Sequence, residues 1–378
     1  MNAETTRRDQ ARDLLDDFLA GHPVEWTEVR ATASELIDLC DARDITPIVY
    51  HRLRQQACSA LRPAEARLES AARAAAAREL VRRREIAEVL RALHAGGTRP
   101  ILIKGVALAY TVYDLPSLRP YADVDAIVRR DNVESIQRTM GTLGYRKAVS
   151  SAGQLLFRQF QMVKRDHYGI DHAFDFHWKI STQTLFADTL SYDEVDLAAE
   201  AIPALGSSAR GAGSIHALLV ACIHPVMHHR NARRTIWAYD VHLLVSRLTT
   251  LDLERFVDLA IDRRVAAICR RQLAIAVERF GTNIPDRVFA KLQSQGAPEP
   301  SAGYLSPARR WRHELADNVR AHQRWIDRLR LLREVLFPPP RFIVERYSSF
   351  GKSGYLLLPA LYVHRGLAGG WKALTGRK

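Results

Sequence analysis

Apolar and polar positions alternate in two different ways along the chain, and the changes mark four regions. Residues 1–95 have good helix formers and apolar side chains at helical spacing, which predicts a helical region followed by a Gly-Gly stop. In residues 96–205 short apolar runs alternate with helical patterns, which predicts a compact core of strands and helices. Helical spacing returns in residues 206–335, and a basic and aromatic tail follows in residues 336–378.

The mixed region has the pattern of a small sheet surrounded by helices. Its apolar runs and alternating segments predict strands at Ile101–Ile103, Ala122–Val128, Leu155–Val163 and Ile170–Ile180. Between them, Asp131 is expected to cap a helix that runs to Leu143, and Gly144 is expected to end it. The expected fold class is therefore α+β, with the sheet lying between N-terminal and C-terminal helical regions.

The last two regions are predicted to be helical. Apolar stripes recur over His216–His229, Trp237–Leu248, Leu253–Val265 and Ala267–Phe280. A basic helix is expected over Arg309–Leu336, because the run Phe337-Pro338-Pro339-Pro340 stops a helix there.

The composition is that of a globular protein. Hydrophobic residues make up 47% and charged residues 26% of the 378, and no apolar run reaches the roughly 18 residues that a transmembrane helix needs. The charged start lacks the apolar run of a secretion signal, and the four cysteines are far apart, with no C-x-x-C pair. These features argue against a disulfide framework and predict a cytoplasmic protein.

The chain is strongly basic, with a net charge of +13 and a pI near 9.8. A cationic surface of this size attracts phosphates, whether on nucleotides, on nucleic acid or on anionic lipid. Composition does not choose among these partners, and an arginine-rich proteome would produce the same charge without any of them.

The segment KGVALAYTVYDLPSLRPYADVDAIV carries the first candidate chemistry. Alternate residues of a strand share a face, so Asp123 and Asp125 project to the same side. Two neighbouring carboxylates repel, and burying both without a partner is costly. A divalent cation relieves that cost and prefers such oxygen ligands, so the pair predicts a Mg²⁺ site. A lone D-x-D is more often a solvated turn, but the basic residues before it and the strand that follows favour the metal.

The segment Ile170–Ile180 repeats this logic with a clearer alternation. One face carries Phe174, Phe176, Trp178 and Ile180. The other face carries Asp171, Asp175, His177 and Lys179. Such a strand suits a sheet with one face on a core and the other on a cleft, and its third carboxylate ligand is Asp175 or Asp171. Three carboxylates that hold two metal ions about 3.5–4 Å apart are the usual apparatus of phosphoryl or nucleotidyl transfer.

These residues resemble a known family, the uncharacterised nucleotidyltransferases of the polymerase-β superfamily. The similar positions in the first segment are Lys104-Gly105, Tyr113, Arg119 and Asp123-Val124-Asp125. The later element of that family, D-hydrophobic-His-Trp, is similar to Asp175-Phe176-His177-Trp178. Less specific likeness lies at His224, His228 and Asp240 and at Leu336-Phe337-Pro338, so the resemblance runs from about residue 96 to the end.

The resemblance implies a polymerase-β-like core, a small mixed sheet with flanking helices, that binds an NTP and Mg²⁺, with Mn²⁺ as the alternative ion. It implies that Asp123 and Asp125 bind both metal ions and that Asp175 binds the catalytic one. Asp175 or a metal-bound hydroxide would then serve as the base.

The resemblance also implies where the triphosphate lies. Lys104 and Arg119 would neutralise it, and Gly105 would let it approach the backbone at a helix start. The family usually opens with Gly-Gly or Gly-Ser where this chain has Lys-Gly-Val, so the phosphate contacts are expected to differ in detail. Side chains expected around these ligands are Asp171, His177, His228 and Asp240.

Three weaker signals have two interpretations each. His224 and His228 have the i, i+4 spacing of a zinc site with Asp240 as a third ligand, but helix packing that brings His228 or Asp240 to the nucleotide is the preferred interpretation. The tail either contacts an anionic membrane or packs on its own domain. The Arg309–Arg333 helix either binds RNA or is a solvated face.

The leading hypothesis is a transferase that moves an NMP from an NTP to an acceptor hydroxyl or phosphate. One alternative is an enzyme that transfers a sugar or a phosphoryl group from a nucleotide donor. The other is an inactive basic module that binds nucleotide or RNA. The acceptor, which is a small molecule, sugar, peptide, protein or tRNA, the preferred NTP and the oligomeric state are not readable from the chain.

Overall fold

The computed structural model describes residues 3–22, 24, 33–56, 59–148, 158–229, 231–293, 299–306, 309, 311–347 and 355–375. The strands are β1 Ile101–Leu102, β2 Val124–Ile127, β3 Arg146–Lys147, β4 Gln159–Arg165, β5 Asp171–His177, β6 Glu200–Ala201 and β7 Arg210–Gly211. They form one mixed sheet in the order β3-β4-β5-β2-β1-β7-β6. The predicted α+β class is confirmed.

Helices surround this sheet, and they come from the parts of the chain before, between and after the strands. The first group is α1 Ala3–Ala20, α2 Ala33–Ala42, α3 Thr46–Gln55, α4 Glu65–Ala95, α5 Lys104–Thr111 and α6 Val133–Thr142. Two short helices, α7 Thr184–Ala187 and α8 Tyr192–Leu197, follow the sheet's longest strands. The last group is α9 Ser214–His229, α10 Thr235–Arg247, α11 Thr250–Asp262, α12 Ala266–Phe280, α13 Asp286–Gln293, α14 Trp311–Ala321, α15 Trp325–Leu336, α16 Pro340–Arg346 and α17 Leu358–Thr375.

The alternation in β2 and β5 decides what each face of the sheet contacts. Val124 and Ala126 lie beside Phe174 and Phe176 in parallel register, and all four are buried in one apolar cluster. Helices α4 and α6 cover this face, and α4 contributes Ile86, Val89, Leu90 and Leu93 at helical spacing. The opposite face therefore receives the polar side chains of the same strands.

A second apolar cluster joins the helices on both sides of the sheet. It includes Leu15 and Phe18 from α1 together with Leu273 and Phe280 from α12. Beside it, the guanidinium of Arg279 donates two hydrogen bonds of 2.7 Å to the Asp16 carboxylate, which ties α12 to α1. The N-terminal helices thus share a core with the C-terminal ones.

The predicted division into four regions stays a prediction, although two structural facts bear on it. Strand β7, Arg210–Gly211, lies past residue 205 and still belongs to the sheet, between β1 and β6. The shared apolar cluster also crosses the boundaries at residues 95 and 205. None of the described helices is both long enough and apolar enough to cross a membrane.

The structure corrects two local expectations and leaves part of a third outside the described residues. A 3₁₀ turn over Arg130–Asn132 precedes α6, so Asp131 lies inside a turn and not at the extended position that an N-cap requires. Strand β5 ends at His177, so the alternation stops there and Ile180 packs into the second apolar cluster. The start of the strand predicted at Leu155–Val163 lies outside the described residues, and β4 begins at Gln159.

The basic helix predicted over Arg309–Leu336 is also wrong as a single element, because α14 ends at Ala321 and α15 begins at Trp325. At the break, Arg328 Nε donates a 2.8 Å hydrogen bond to the backbone carbonyl of His322. That bond satisfies a carbonyl that the end of α14 leaves without a helical donor.

Candidate active site

Two carboxylates lie abreast on the polar face of the sheet. Strands β2 and β5 are parallel neighbours, and their register pairs Asp125 with Asp175. Each of these side chains is buried, with about 7% of the residue exposed. The alternation predicted from the sequence therefore brings both carboxylates to one place, and the fold adds the strand pairing that joins them.

Asp123 lies just before β2 and completes the cluster of acidic side chains. Burial and the neighbouring charge of Asp125 raise its pKa to about 6. The nearby charge of Lys104 acts in the opposite direction but does not compensate. Asp123 is thus a carboxyl whose charge is disfavoured where it stands.

Asp125 is the best-partnered carboxylate of the three. Its Oδ1 accepts a 2.7 Å hydrogen bond from Lys104 Nζ and a 2.8 Å hydrogen bond from His177 Nε2. Burial alone would raise its pKa, but the charge of Lys104 and the contact with His177 outweigh burial and hold the pKa well below its usual value. Asp125 is therefore an anion throughout the physiological range.

Asp175 is less well satisfied. Gln159 Nε2 donates a 2.7 Å hydrogen bond to Oδ2, whereas Oδ1 is buried and has no hydrogen-bond partner. Burial raises the pKa of Asp175, the charge of His177 opposes this, and that of Asp125 adds to it. His177 Nε2 lies 3.6 Å from Oδ2 and so stands between the two carboxylates. An unpartnered carboxylate oxygen in this position is available to a further ligand.

Lys104 and Gly105 form the start of helix α5 beside these carboxylates. Lys104 has a positive φ of 59°, which an L-residue adopts at a cost, and its side chain is about 10% exposed. A Cβ on Gly105 would lie 3.1 Å from Tyr121 Cβ and 3.5 Å from Arg119 Nη1. Glycine is therefore needed here for close packing at the helix start, not for an unusual backbone angle.

Arg119 is buried in an internal ion pair and does not extend into open space. Its Nε and Nη2 donate 2.8 Å hydrogen bonds to the two oxygens of Asp240, and its Nη1 donates to the Pro120 carbonyl. Tyr113 Oη donates a further 2.7 Å bond to Asp240. This network joins α10 to the segment that precedes β2.

A second network attaches α4 to the same segment. Glu79 accepts hydrogen bonds from the hydroxyls of Tyr110 and Tyr121, at 2.5 and 2.8 Å. Arg82 donates a 2.5 Å bond to the Tyr121 carbonyl. The long N-terminal helix therefore fixes the residues that surround Gly105.

The histidines of α9 line the cleft on another side. His224 and His228 lie one turn apart, with ring centroids 5.7 Å apart. Trp237 of α10 packs against His224 at 5.2 Å and against His229 at 4.5 Å. Burial and the charge of Lys104 lower the pKa of His228 to about 3, and they also depress that of His224. Both rings are neutral at ordinary pH.

A single cleft of about 570 Å³ brings nearly all the predicted site residues together. Its lining includes Lys104, Gly105, Arg119, Asp123, Asp125, Asp175, His177, His228 and Asp240. Asp171 is the exception, because it lies at the far end of β5 with a side chain that is 77% exposed, 4.0 Å from Arg165. In this position Asp171 does not contact Asp123 or Asp125, the two carboxylates that it was expected to join.

The donor set fits a divalent cation. Among the described residues, the side chains close enough to share an ion are those of Asp125, Asp175 and His177, whose ligand atoms lie within 4.8 Å of one another. Asp123 lines the same cleft but is not part of this compact group. The unpartnered Oδ1 of Asp175 and the surplus of carboxylates over ammonium groups are both relieved by such an ion. His224 and His228 are absent from that group, and Asp240 is bound by Arg119, so the zinc interpretation has no third ligand in the described part of the chain.

The sequence did not point to Gln159 or Glu79, and it did not show that His224 lines the cleft. Gln159 sits two positions from the residue opposite Asp175 in β4, so only the strand register could reveal its contact. Glu79 looked like one charge among many on a helix of mixed charges. The weak i, i+4 histidine pattern was the one signal that pointed to the α9 side of the cleft.

A family model described as uncharacterised nucleotidyltransferase matches residues 30–281, which is more than half of the chain. The chain belongs to this family: it is a nucleotidyltransferase, a transferase of phosphorus-containing groups. The match confirms the resemblance and contains every cleft residue described above, although it begins earlier than residue 96 and ends before the tail. No curated protein matches the chain.

Proposed function

We propose that the protein transfers a nucleoside monophosphate from an NTP to an acceptor, with Mg²⁺ bound at Asp123, Asp125 and Asp175. The observation that carries this proposal is the cluster itself. Asp123, Asp125 and Asp175 line one cleft with Lys104, whose ammonium group contacts Asp125, and the Oδ1 atom of Asp175 is buried without a partner. A protein that used these strands only for structure would have no need to assemble this charge.

Two ions in this cluster, Mg²⁺ or Mn²⁺, would supply Lewis acidity to the attacking oxygen and to the triphosphate. Asp123 and Asp125 would hold both, and Asp175 would hold the one nearer the attacking group. His177 keeps Asp125 in place through its 2.8 Å hydrogen bond, and Gln159 does the same for Asp175.

The triphosphate would lie at the start of helix α5. Lys104 Nζ is 2.7 Å from Asp125, and so it can also donate to a phosphate oxygen held beside that carboxylate. Gly105 keeps the helix start close to Tyr121. Because Arg119 is bound to Asp240, its proposed part is to position this segment, and its charge reaches the phosphates only over a distance.

In the reaction, an oxygen of the acceptor forms a bond to the α-phosphorus and the bond from that phosphorus to the pyrophosphate oxygen breaks. The proton of the acceptor passes to the Asp175 carboxylate. Pyrophosphate leaves as the second product. Asp125 and Asp175 are each 7% exposed, so bulk water has little access to them.

The proposal includes the polymerase-β-like core and a cytoplasmic location. Parallel β2 and β5 with the antiparallel β4 support that core, since they hold the carboxylates as the resemblance requires. The net charge of +13 leaves nucleic acid open as an acceptor or partner, and salt-dependent RNA binding without NTP consumption would favour the inactive binding module instead.

The first experiment is isothermal titration of the purified protein with ATP, CTP, GTP and UTP, with and without Mg²⁺. We expect one NTP to bind in a metal-dependent way, and the Asp123→Asn/Asp125→Asn double variant to lose this binding. Mass analysis of the products would then distinguish an added nucleotide from an added hexose or phosphate.

Asp171→Asn is the matched control, because Asp171 lies on the same strand and face as Asp175 but outside the cleft. It should bind NTP like the wild type. The proposal fails if no NTP binds under any condition, or if the double variant binds and turns over NTP normally.

A further inference from the structure

The α9 side of the cleft carries polar atoms that the proposed reaction does not use. We call this side the histidine wall and define it by Ala221, His224 and His228, all of which line the cleft. His224 Nδ1 and His228 Nε2 are buried and have no hydrogen-bond partner. Buried polar atoms without partners are rare in folded proteins and call for a ligand.

The protonation of His228 follows from its one hydrogen bond. The ring bonds to the backbone of Ile180, and since Nε2 has no partner, the nitrogen that makes this bond is Nδ1. A backbone carbonyl accepts only from an N–H, so the neutral ring carries its proton on Nδ1. Its Nε2 is therefore a hydrogen-bond acceptor, and it lacks a donor.

A proline interrupts the helical hydrogen bonding of the same wall. Pro225 lies inside α9 and has no N–H. The carbonyl four residues earlier, that of Ala221, therefore lacks its usual helical donor. Ala221 lines the same cleft as His224 and His228, so the turn of α9 that the proline alters belongs to the histidine wall.

The position of His228 relative to the carboxylates is fixed by the loop after β5. Besides the Ile180 contact, Gln183 Nε2 donates a 2.7 Å hydrogen bond to the Met227 carbonyl. This loop begins directly after His177, so α9 is attached to the end of the strand that holds Asp175. Lys104, His177 and Asp125 line the same cleft as His228.

The cations of the cleft are already matched by carboxylates. Lys104 pairs with Asp125 at 2.7 Å, and Arg119 pairs with Asp240 at 2.8 Å. The remaining cation in the described lining, Arg234, lies 3.2 Å from Asp44 and over the Trp237 ring. Because the proposed function assigns Lys104 to the triphosphate of the NTP, no further cation of that described lining remains for a phosphate on the acceptor. A hydroxyl group, in contrast, would find the acceptor His228 Nε2 without a donor.

We propose that the histidine wall binds the acceptor substrate, that this substrate is an alcohol, and that His228 Nε2 accepts a hydrogen bond from one of its hydroxyl groups. This inference rests on the proposed function and decides between the hydroxyl and phosphate acceptors that the proposed function leaves open. The alcohol oxygen bonds to the α-phosphorus, pyrophosphate departs, and the proton of that oxygen goes to Asp175. The product is a phosphodiester, not a diphosphate.

Two variants of one residue give a matched test. His228→Asn keeps an amide N–H where Nδ1 stands and removes the Nε2 acceptor, whereas His228→Gln keeps an amide group that reaches the Nε2 position. We would follow transfer from the preferred NTP to two alcohols, glycerol and myo-inositol. Methyl phosphate serves as the comparison acceptor, because it offers a phosphate oxygen and has no alcohol group. NTP affinity is measured separately by titration, and histidine-ring ¹⁵N NMR of the wild type reports the tautomer of His228.

We expect phosphodiester products with the two alcohols and none with methyl phosphate. His228→Asn should raise the KM for the alcohol about tenfold, the effect of one hydrogen bond, with the Kd for NTP unchanged. His228→Gln should recover most of this loss, and the ring should carry its proton on Nδ1.

Three results would overturn the inference while NTP binding persists. They are transfer to methyl phosphate with no alcohol product, an unchanged alcohol KM in His228→Asn, and a proton on Nε2. Loss of all NTP binding and turnover in the wild type is a different result, because it removes the proposed function and the inference with it.

Discussion

Two buried clusters of charge line one cleft, and they differ in whether their charges balance. In the first, Asp240 accepts two hydrogen bonds from Arg119 and one from Tyr113. In the second, the carboxylates Asp123, Asp125 and Asp175 face the single ammonium of Lys104. The balanced cluster holds elements together, and the unbalanced one is where a ligand is needed.

The pKa values express the same difference. Burial and Asp125 raise the pKa of Asp123 to about 6, and burial raises that of Asp175. An acid in this state lowers the stability of the fold when it is ionised. The protein therefore keeps an arrangement that costs stability, which is typical of functional sites and not of structural ion pairs.

The largest effect is expected from Asp175→Asn. The amide keeps the shape of the carboxylate and removes a ligand and the proton acceptor, so transfer should fall about a thousandfold or more, equal to about 4 kcal/mol. Stability should be unchanged or higher, because the variant removes a buried charge with an unpartnered oxygen. Single-turnover kinetics and thermal melting of the same sample measure both. A variant with a lower melting temperature and normal turnover would show that Asp175 has a structural role and not a catalytic one.

The balanced cluster should respond in the opposite way. Asp240→Asn leaves the buried Arg119 charge uncompensated, which should cost about 3–5 kcal/mol of unfolding free energy. The double variant Arg119→Met/Asp240→Leu should recover much of this loss, because no isolated charge remains. Urea unfolding measures both.

The control for that measurement is an exposed ion pair elsewhere in the chain. Asp188 pairs with Lys179, and its side chain is 72% exposed. Asp188→Asn should change stability by no more than about 1 kcal/mol, as surface pairs do. If Asp240→Asn lowers the free energy of unfolding no more than this control does, the Arg119–Asp240 pair does not hold α10 to the segment before β2.

The contrast also explains how much could be predicted from sequence. The strand period of two residues is local, so the side of the strand on which Asp125, Asp175 and His177 lie was readable without a structure. The pairing of β2 with β5 was not, because nothing local specifies which strands become neighbours. The choice between Asp171 and Asp175 needed that register, and the structure leaves Asp171 exposed at the far end of β5.

Contacts over long stretches of chain were equally out of reach. Arg119 was expected to meet phosphate, but its partner comes from α10, which carries Asp240. The sequence offered His224 and His228 as a pair, yet only the packing of α9 on the loop after β5 leaves His228 Nε2 buried without a partner. Charge type and strand face are local properties, whereas satisfaction of a charge is a property of the folded chain.

A smaller effect concerns pH. Asp123 has a pKa of about 6 in the fold against 3.8 for the free side chain, so the folded state holds this proton more tightly. Its contribution to the stability of the metal-free protein is therefore complete below about pH 4 and is lost as the pH rises through about 6. Melting temperatures in EDTA from pH 4 to pH 7, for the wild type minus Asp123→Asn, isolate this term. If the melting temperature of the wild type instead rises relative to that of Asp123→Asn as the pH increases, the assignment is contradicted. In samples without EDTA, added Mn²⁺ should cancel the loss of stability above pH 6.

The smallest effect separates two glycines. A Cβ on Gly105 would lie 3.1 Å from Tyr121 Cβ, and Glu79 and Arg82 hold that tyrosine so that it cannot move freely. Gly105→Ala should therefore cost about 1–3 kcal/mol of overpacking and raise the KM for NTP severalfold. In Gly141→Ala the new methyl meets nothing within 4 Å in helix α6, so this matched control should gain about 0.4–1 kcal/mol. Differential unfolding with NTP titration checks both variants. If Gly105→Ala behaves like Gly141→Ala, the helix start does not depend on that close contact and Lys104 alone positions the triphosphate.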